Sequence, residues 1–447
     1  MPPNRYVICL RHRCTPHHLS ERAHYVTFGV ARGKRHQLQL SVFPTLVIVH
    51  MPEQTIFCGK KTMRILMFSL WRADKPSGAI LGVKYLAHSL ARLGHEVTIA
   101  APSSRITEKE RAMARSIGVS LLPIELRLGG FSIANWRQLA TFMRRPQTRP
   151  DIVHFQYVRH PHYVSVNRLA RKLGIPTILS FRGGWLPRVW DTGLVKKTVY
   201  WHLLERPFLR SLSAYHFVTA YEKEEMEPFL PRKPFFIVPN PLWDVPTSRR
   251  WKPHIGRERR VLGYLGRFDI YNKGLDRLFE VIRLLQKQTK VELRLLGKPR
   301  GKHESRFRRL IESAGDLPIR VCGEVYDEEK KANVYLSFDL YIQFSRWELW
   351  GHSIAEAMSL GVPVAITDRH HIARMAGNAG ACLVLPFDDV ESAAERICRL
   401  LNSTEQMTVL ARRGLEWVQK FRGENIARRM LEVYQECIKM STRRGAM

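Results

Sequence analysis

Ser345-Arg346-Trp347-Glu348-Leu349-Trp350-Gly351-His352-Ser353-Ile354-Ala355-Glu356-Ala357-Met358-Ser359-Leu360-Gly361-Val362-Pro363-Val364-Ala365 is the stretch that decides the fold. It begins where an apolar run, Leu340 to Phe344, gives out as a buried strand would. A turn carrying Glu348 closes at Gly351, and a helix opens at about His352–Ser353 with Ile354, Ala355, Met358 and Leu360 as its apolar positions. Gly361 stops that helix, and Pro363 opens the next strand, where a missing amide donor is tolerated. A strand, a glycine turn and a helix aim free backbone amides and the positive end of a helix dipole at the carboxyl edge of a sheet. That edge is where α/β folds hold phosphate. Glu348 in the turn and Glu356 on the second helical turn flank such an anion pocket, a position suited to the hydroxyl-rich parts of a ligand on either side of a diphosphate.

Outward from this stretch the pattern repeats. Val261–Leu265, Val291–Leu296, Ile319–Cys322, Pro363–Ile366 and Ala381–Leu385 read as strands, followed by helices at about Val390–Leu401, Thr404–Lys420 and Glu424–Met440. Upstream, His95–Ala101, Asp151–Gln156, Ile175–Ser180, Ala214–Thr219 and Pro234–Val238 are short and β-rich, after a first strand Arg64–Leu70. Helical stretches Ala79–Leu93, Val164–Leu173 and Leu194–Leu212 lie between them. Such alternation predicts parallel sheets with helices on both faces. The spacing predicts an N-terminal domain over 63–240, a linker over 241–260 and a second domain over 261–422, with a closing helix and tail over 423–447. Residues 1–62, rich in Arg and His and poor in Asp and Glu, read as a disordered extension or a start assigned too far upstream.

The second domain opens with Gly263-Tyr264-Leu265-Gly266-Arg267-Phe268-Asp269-Ile270-Tyr271-Asn272-Lys273-Gly274-Leu275-Asp276. A strand ends, Arg267 and Lys273 follow six residues apart, and a helix begins after Gly274. Two cations at a strand's carboxyl end beside a helix start suit a diphosphate whose charge grows as it leaves.

Glu348 and Glu356, separated by seven residues, resemble the E-x7-E signature of the family 4 retaining glycosyltransferases, and Gly266 to Gly274 resembles that family's G-R-x5-K-G motif. The resemblance covers the chain from Met63 onward. It implies the GT-B architecture, two Rossmann-like domains facing each other across a cleft, with the last helices crossing back onto the first domain. It implies that Arg267 and Lys273 hold the donor's phosphates, that Glu348 contacts the donor sugar and Glu356 the ribose. The amides around Gly351, His352 and Ser353 would complete the phosphate cradle, and Glu324 falls where the family reads the base. On the acceptor side, Gly78 lies in a loop that is Gly-rich in similar enzymes and here holds a single glycine, while Arg182 and Gly183 stand where many relatives place a His. That departure argues against a single-His catalytic assignment; His154 and His160 are weaker substitutes. No Asp-x-Asp lies near a strand end, so no catalytic metal and no cofactor beyond the sugar donor are expected. The family chemistry implies retention of the anomeric configuration, with the leaving diphosphate taking the acceptor proton.

Composition bounds the partners. The 447 residues carry 72 Lys+Arg against 40 Asp+Glu, a net charge of +32, which points to nucleic acid, anionic lipid or phosphorylated ligands. Seven cysteines, odd in number and mostly isolated, argue against a disulfide framework and for a reducing, cytoplasmic setting. The longest apolar run, Leu40 to Met51, falls well short of the ~20 residues a membrane span requires. Between Arg182 and Arg210, basic residues interleave with Trp185, Trp190, Tyr200 and Trp201, as in an interfacial contact with an anionic membrane. No nucleic-acid-binding motif accompanies the charge. The combined expectation is a cytoplasmic transferase, peripheral on the inner face of the membrane. It moves a sugar from a nucleotide-diphosphate sugar to a glycan or lipid-linked acceptor, in surface polysaccharide or glycolipid assembly. A nucleotide-sugar epimerase on the same frame and a non-catalytic basic protein binding nucleic acid or anionic membrane are the alternatives.

Overall fold

The computed structural model describes residues 62–71, 78–184, 198–242, 248–301 and 303–445. The extension 1–61, the glycine-poor loop around Lys75, and the basic aromatic residues Trp185 to Lys197 lie outside them.

The first sheet has seven parallel strands. They are Arg64–Phe68 (β1), Glu96–Pro102 (β2), Val119–Ile124 (β3), Ile152–Gln156 (β6), Thr177–Ser180 (β7), Ala214–Phe217 (β8) and Phe235–Ile237 (β9), in the order β3-β2-β1-β6-β7-β8-β9. A hairpin of Leu126–Arg127 (β4) and Ser132–Ile133 (β5) hangs from its edge. The second sheet holds Arg260–Leu265 (β10), Val291–Leu296 (β11), Ile319–Gly323 (β12), Leu340–Gln343 (β13), Val364–Thr367 (β14) and Leu383–Leu385 (β15), in the order β12-β11-β10-β13-β14-β15. Central strands such as β6, β7, β13 and β14 are buried at every residue, as continuous apolar runs covered by helices on both faces must be. This is the doubly wound pair of domains the sequence predicts. Strand order reverses between β1 and β6 in the first lobe and between β10 and β13 in the second, and ligands bind outside the strand ends at such points.

The final helix, Gly423–Gly445, returns to the first lobe and packs on helix Gly78–Arg92. A buried polar chain fixes it there. Tyr434 Oη lies 2.7 Å from His154 Nδ1, His154 Nε2 is 2.6 Å from Ser180 Oγ, and Ser180 Oγ is 2.5 Å from His216 Nδ1. His216 Nε2 then reaches the Val238 carbonyl at 2.8 Å. A carbonyl only accepts, so His216 donates from Nε2, and each link back to the tyrosine hydroxyl takes one direction. Burial holds both imidazoles neutral, His216 with its pKa pushed down to about 3. His154 is therefore a structural residue. Tyr434→Phe would leave its Nδ1 a buried acceptor without a donor, and a loss of about 1–3 kcal/mol is expected in chemical denaturation. A loss under about 0.5 kcal/mol would show that the chain does not anchor the helix.

The run leading into β10 is docked on the second lobe. Trp251 Nε1 donates to the Phe338 carbonyl at 2.7 Å, and buried Asp339 receives Arg257, Arg260, His254 and the Val261 amide.

Candidate active site

Two loops meet at the switch point of the second sheet, one after β10 and one after β13. In the first, Asp269 caps the short helix Ile270–Lys273 by accepting from the Asn272 amide, and Arg267 Nη2 lies 3.2 Å from Asp269 Oδ2. Hydrogen bonds from Asn272 hold the Asp269 carboxyl below its usual range against the opposing effect of burial. Arg267 leaves 56 % of its side chain exposed, so its guanidinium is available to a ligand. Gly274 follows in the left-handed region (φ +58°) and presses its backbone against the end of the other strand, at Phe344.

Lys273 forms an ion pair with Glu348, and Gln343 Nε2 donates to the same carboxylate oxygen at 3.0 Å. Burial alone would raise the Glu348 carboxyl; Lys273 foremost outweighs it and holds the group below its usual range. Glu348 is therefore an ionised, oriented hydrogen-bond acceptor. Its backbone carbonyl accepts from the His371 amide at 2.9 Å, which fixes the turn against the loop after β14. His370, fully buried beside this pair with no partner among the described residues on either ring nitrogen, is kept neutral by burial, its pKa pushed down to about 3.

Helix His352–Ser359 starts from Gly351 (φ +70°), three residues beyond Glu348. Its first amides have no partners within the helix. Ser353 Oγ takes a hydrogen bond from Tyr341 at 2.8 Å. The His352 ring lies edge-on to Tyr85 of the first lobe, 5.6 Å between centroids, with its Nε2 buried and unpartnered. Glu356 sits one helical turn further on and faces inward. Lys331 Nζ (3.1 Å) and the Tyr335 hydroxyl (2.9 Å) bind it, and burial, with Glu328 nearby, raises its carboxyl. Glu324 stands apart on the loop after β12, held by Lys298 at 2.8 Å, Arg300 at 2.9 Å and Tyr326 at 2.6 Å. Those donors outweigh its burial and pull its pKa down to about 2.

Across the cleft, Gly183 lies in the loop after β7, and a Cβ placed there would come within 2.6 Å of the Trp347 ring. Trp347 packs on the apolar cores of both lobes. The Gly183 and Val218 amides donate to Glu222 at 2.7 Å each, and burial pushes this carboxyl up to about 7. Arg182 adopts φ +49° and turns inward, donating to Gln156 Oε1 at 2.7 Å and to Asn240. Gly78 begins helix Gly78–Arg92 and abuts the His352 ring.

The structure thus pairs Lys273 with Glu348 ahead of Gly351, His352 and Ser353, sets Gly78 against His352 and Gly183 against Trp347, leaves Arg267 partly exposed, and buries Glu356 against Lys331 and Tyr335. Sequence reasoning did not single out Gln343, His370, Trp347 or Glu222. Gln343 is the last residue of a strand it did identify, which is the available signal; His370 and Glu222 are placed by tertiary contacts. Among the described residues no group of three or more His, Cys, Asp or Glu side chains could hold a metal ion, and no helix is long and apolar enough to cross a membrane.

The chain is similar to known glycosyltransferases in sequence and in fold. The family model for glycosyl transferases group 1 matches residues 247–417, and that for glycosyltransferase family 4 matches residues 76–242. A phosphatidyl-myo-inositol mannosyltransferase from Mycolicibacterium smegmatis is 24% identical over 385 residues, 83% of this chain and 94% of that protein. O-antigen chain mannosyltransferase B from Escherichia coli is 28% identical over 165 residues, 36% of this chain and 42% of that one. Among solved structures, Anabaena HepE in complex with UDP superposes with a TM-score of 0.65 at 14% identity, covering 84% of this chain and 100% of HepE.

Proposed function

The chain belongs to the group 1 glycosyl transferases of GT-B fold, and is a glycosyltransferase; from that premise we propose that it moves a mannosyl residue, with retention, from a nucleotide-diphosphate sugar to a phosphorylated lipid or lipid-linked glycan. The observation that carries the reading is the Lys273–Glu348–Gln343 cluster beside the start of helix His352–Ser359. Cation, oriented carboxylate and helix dipole stand in the order that phosphate and sugar hydroxyls require. In this reading Arg267 and Lys273 take up the charge of the departing diphosphate, whose oxygen accepts the acceptor's proton on the same face. Glu348 binds a sugar hydroxyl; an ion-paired carboxylate is a poor nucleophile. Mannose is supported by the names of both curated relatives. The net charge of +32 supports a peripheral site on the inner face of an anionic membrane.

The test is calorimetric titration of the full chain with GDP, UDP and ADP, with and without EDTA, followed by turnover of GDP-mannose against UDP-glucose. Micromolar binding of one diphosphate is expected to survive chelation and to weaken at least tenfold in Arg267→Ala. Hydrolysis or epimerisation of the donor without an acceptor product would sink the transferase assignment of this site.

A further inference from the structure

Arg182 is 8% exposed, and among the described residues it makes no salt bridge. Its Nε and Nη1 are spent on the side-chain oxygens of Gln156 and Asn240, both neutral, and its Nη2 is buried without a partner. Gln156 Nε2, on the same hydrogen-bonded pair, is a second buried donor with no acceptor. Glu222, the acidic neighbour that acts on Arg182 through space, directs its two oxygens at the Gly183 and Val218 amides. A buried guanidinium facing only neutral oxygens, with two donors left over, is the arrangement of an anion receptor; buried charges are otherwise paired.

Helix Gly78–Arg92 places the receptor. A Cβ on Gly82 would stand 2.6 Å from Arg182 Nη1, and one on Gly78 would stand 3.7 Å from the His352 ring. The two glycines are one helical turn apart, roughly 6 Å along the axis. The guanidinium therefore lies near the start of helix His352–Ser359, from the opposite lobe. The left-handed backbone at Arg182 (φ +49°), uncommon for a side-chain-bearing residue, is what turns the side chain there.

We propose that Arg182 and Gln156 form a receptor for a phosphate-class anion, contributed by the first lobe to the reacting centre. The proposal rests on the donor-cleft reading above. Two sources supply that chemistry, the donor's diphosphate and a phosphate on the acceptor. Gln156→Glu tests it without removing the cation, because it sets a carboxylate beside the guanidinium at the 2.7 Å contact and fills the receptor. The full chain would be titrated with GDP or UDP, whichever the wild type binds, with inorganic pyrophosphate, and with sn-glycerol 3-phosphate. The expected result is an unchanged or raised Tm with at least tenfold weaker binding of the anion that uses the site. Loss confined to the two diphosphates assigns the donor as source, and loss confined to sn-glycerol 3-phosphate assigns the acceptor. A wild type that binds the probes and a variant that matches it within twofold overturn the proposal alone. A wild type that binds none of them overturns it together with the donor-site reading.

Discussion

Lys273→Met is expected to lower kcat on the order of 10²–10³-fold while the chain still folds. The substitution keeps the length of the side chain and removes the cation nearest to Glu348. Two consequences follow from one deletion. A departing diphosphate loses a charge-assisted donor at the point where its charge grows. Glu348, with 17% of its side chain exposed and only Gln343 left as its side-chain donor among the described residues, becomes a carboxylate without a counter-ion. Removing one partner of a half-buried pair should cost about 2 kcal/mol, between the exposed and the fully buried ranges. The double variant Lys273→Met/Glu348→Gln separates the effects. Its thermal stability should return toward wild type because the orphaned charge is gone, while activity stays at the level of the single variant or below. An active Lys273→Met enzyme, within threefold of wild type at saturating donor, would remove Lys273 from the chemistry and leave it as a structural cation.

Gly274→Ala carries the largest expected stability loss. A Cβ at this position would lie 1.9 Å from the Phe344 carbonyl oxygen. The obstacle is backbone of an adjoining strand end, so no side chain can rotate aside. The left-handed φ of +58° adds roughly 1–2 kcal/mol for any L side chain. Together these should exceed about 3 kcal/mol, toward the top of the range for single substitutions. The variant should fail to accumulate as folded protein or melt many degrees lower. Any residue that does fold should bind donor poorly, because the loop carrying Lys273 has moved off the strand carrying Gln343. A Tm within about 2 °C of wild type would show that the two loops are not locked together as described.

Much of this was legible before the structure, and the legible part is the local part. Arg267, Lys273, Glu348 and Gly351 each lie within about ten residues of a strand that announces itself by its apolar run, so chain order alone brings them to one sheet edge. What sequence did not show depends on side-chain direction and on distant pairing. Glu356 reads as a ligand group on the second turn of its helix, yet the helix is rotated so that it meets Lys331 and Tyr335 inside the lobe. Arg182 reads as a residue of the loop after β7, and its pairing with Gln156 and Asn240, 26 and 58 residues away, is not visible in any short window. His370 reaches Glu348 because β13 pairs with β14, an adjacency that no short window contains. Strand Val119–Ile124 also escaped notice because Ser120 and Pro123 interrupt its apolar pattern; as an edge strand it accommodates a proline that a central one would refuse.

The tie between Tyr434 and His154 has a consequence for protein engineering. The first lobe is discontinuous in the gene: its last structural helix is encoded after the entire second lobe. A chimera made by joining this first lobe at residue 242 to the second lobe of another glycosyltransferase would inherit a foreign final helix. Its tyrosine, or lack of one, would then face a buried histidine selected for a different partner. Recombinants that carry residues 423–445 along with residues 63–242 should therefore yield more intact protein than those cut once, and lineages that trade second lobes would be expected to trade around this helix, not through it.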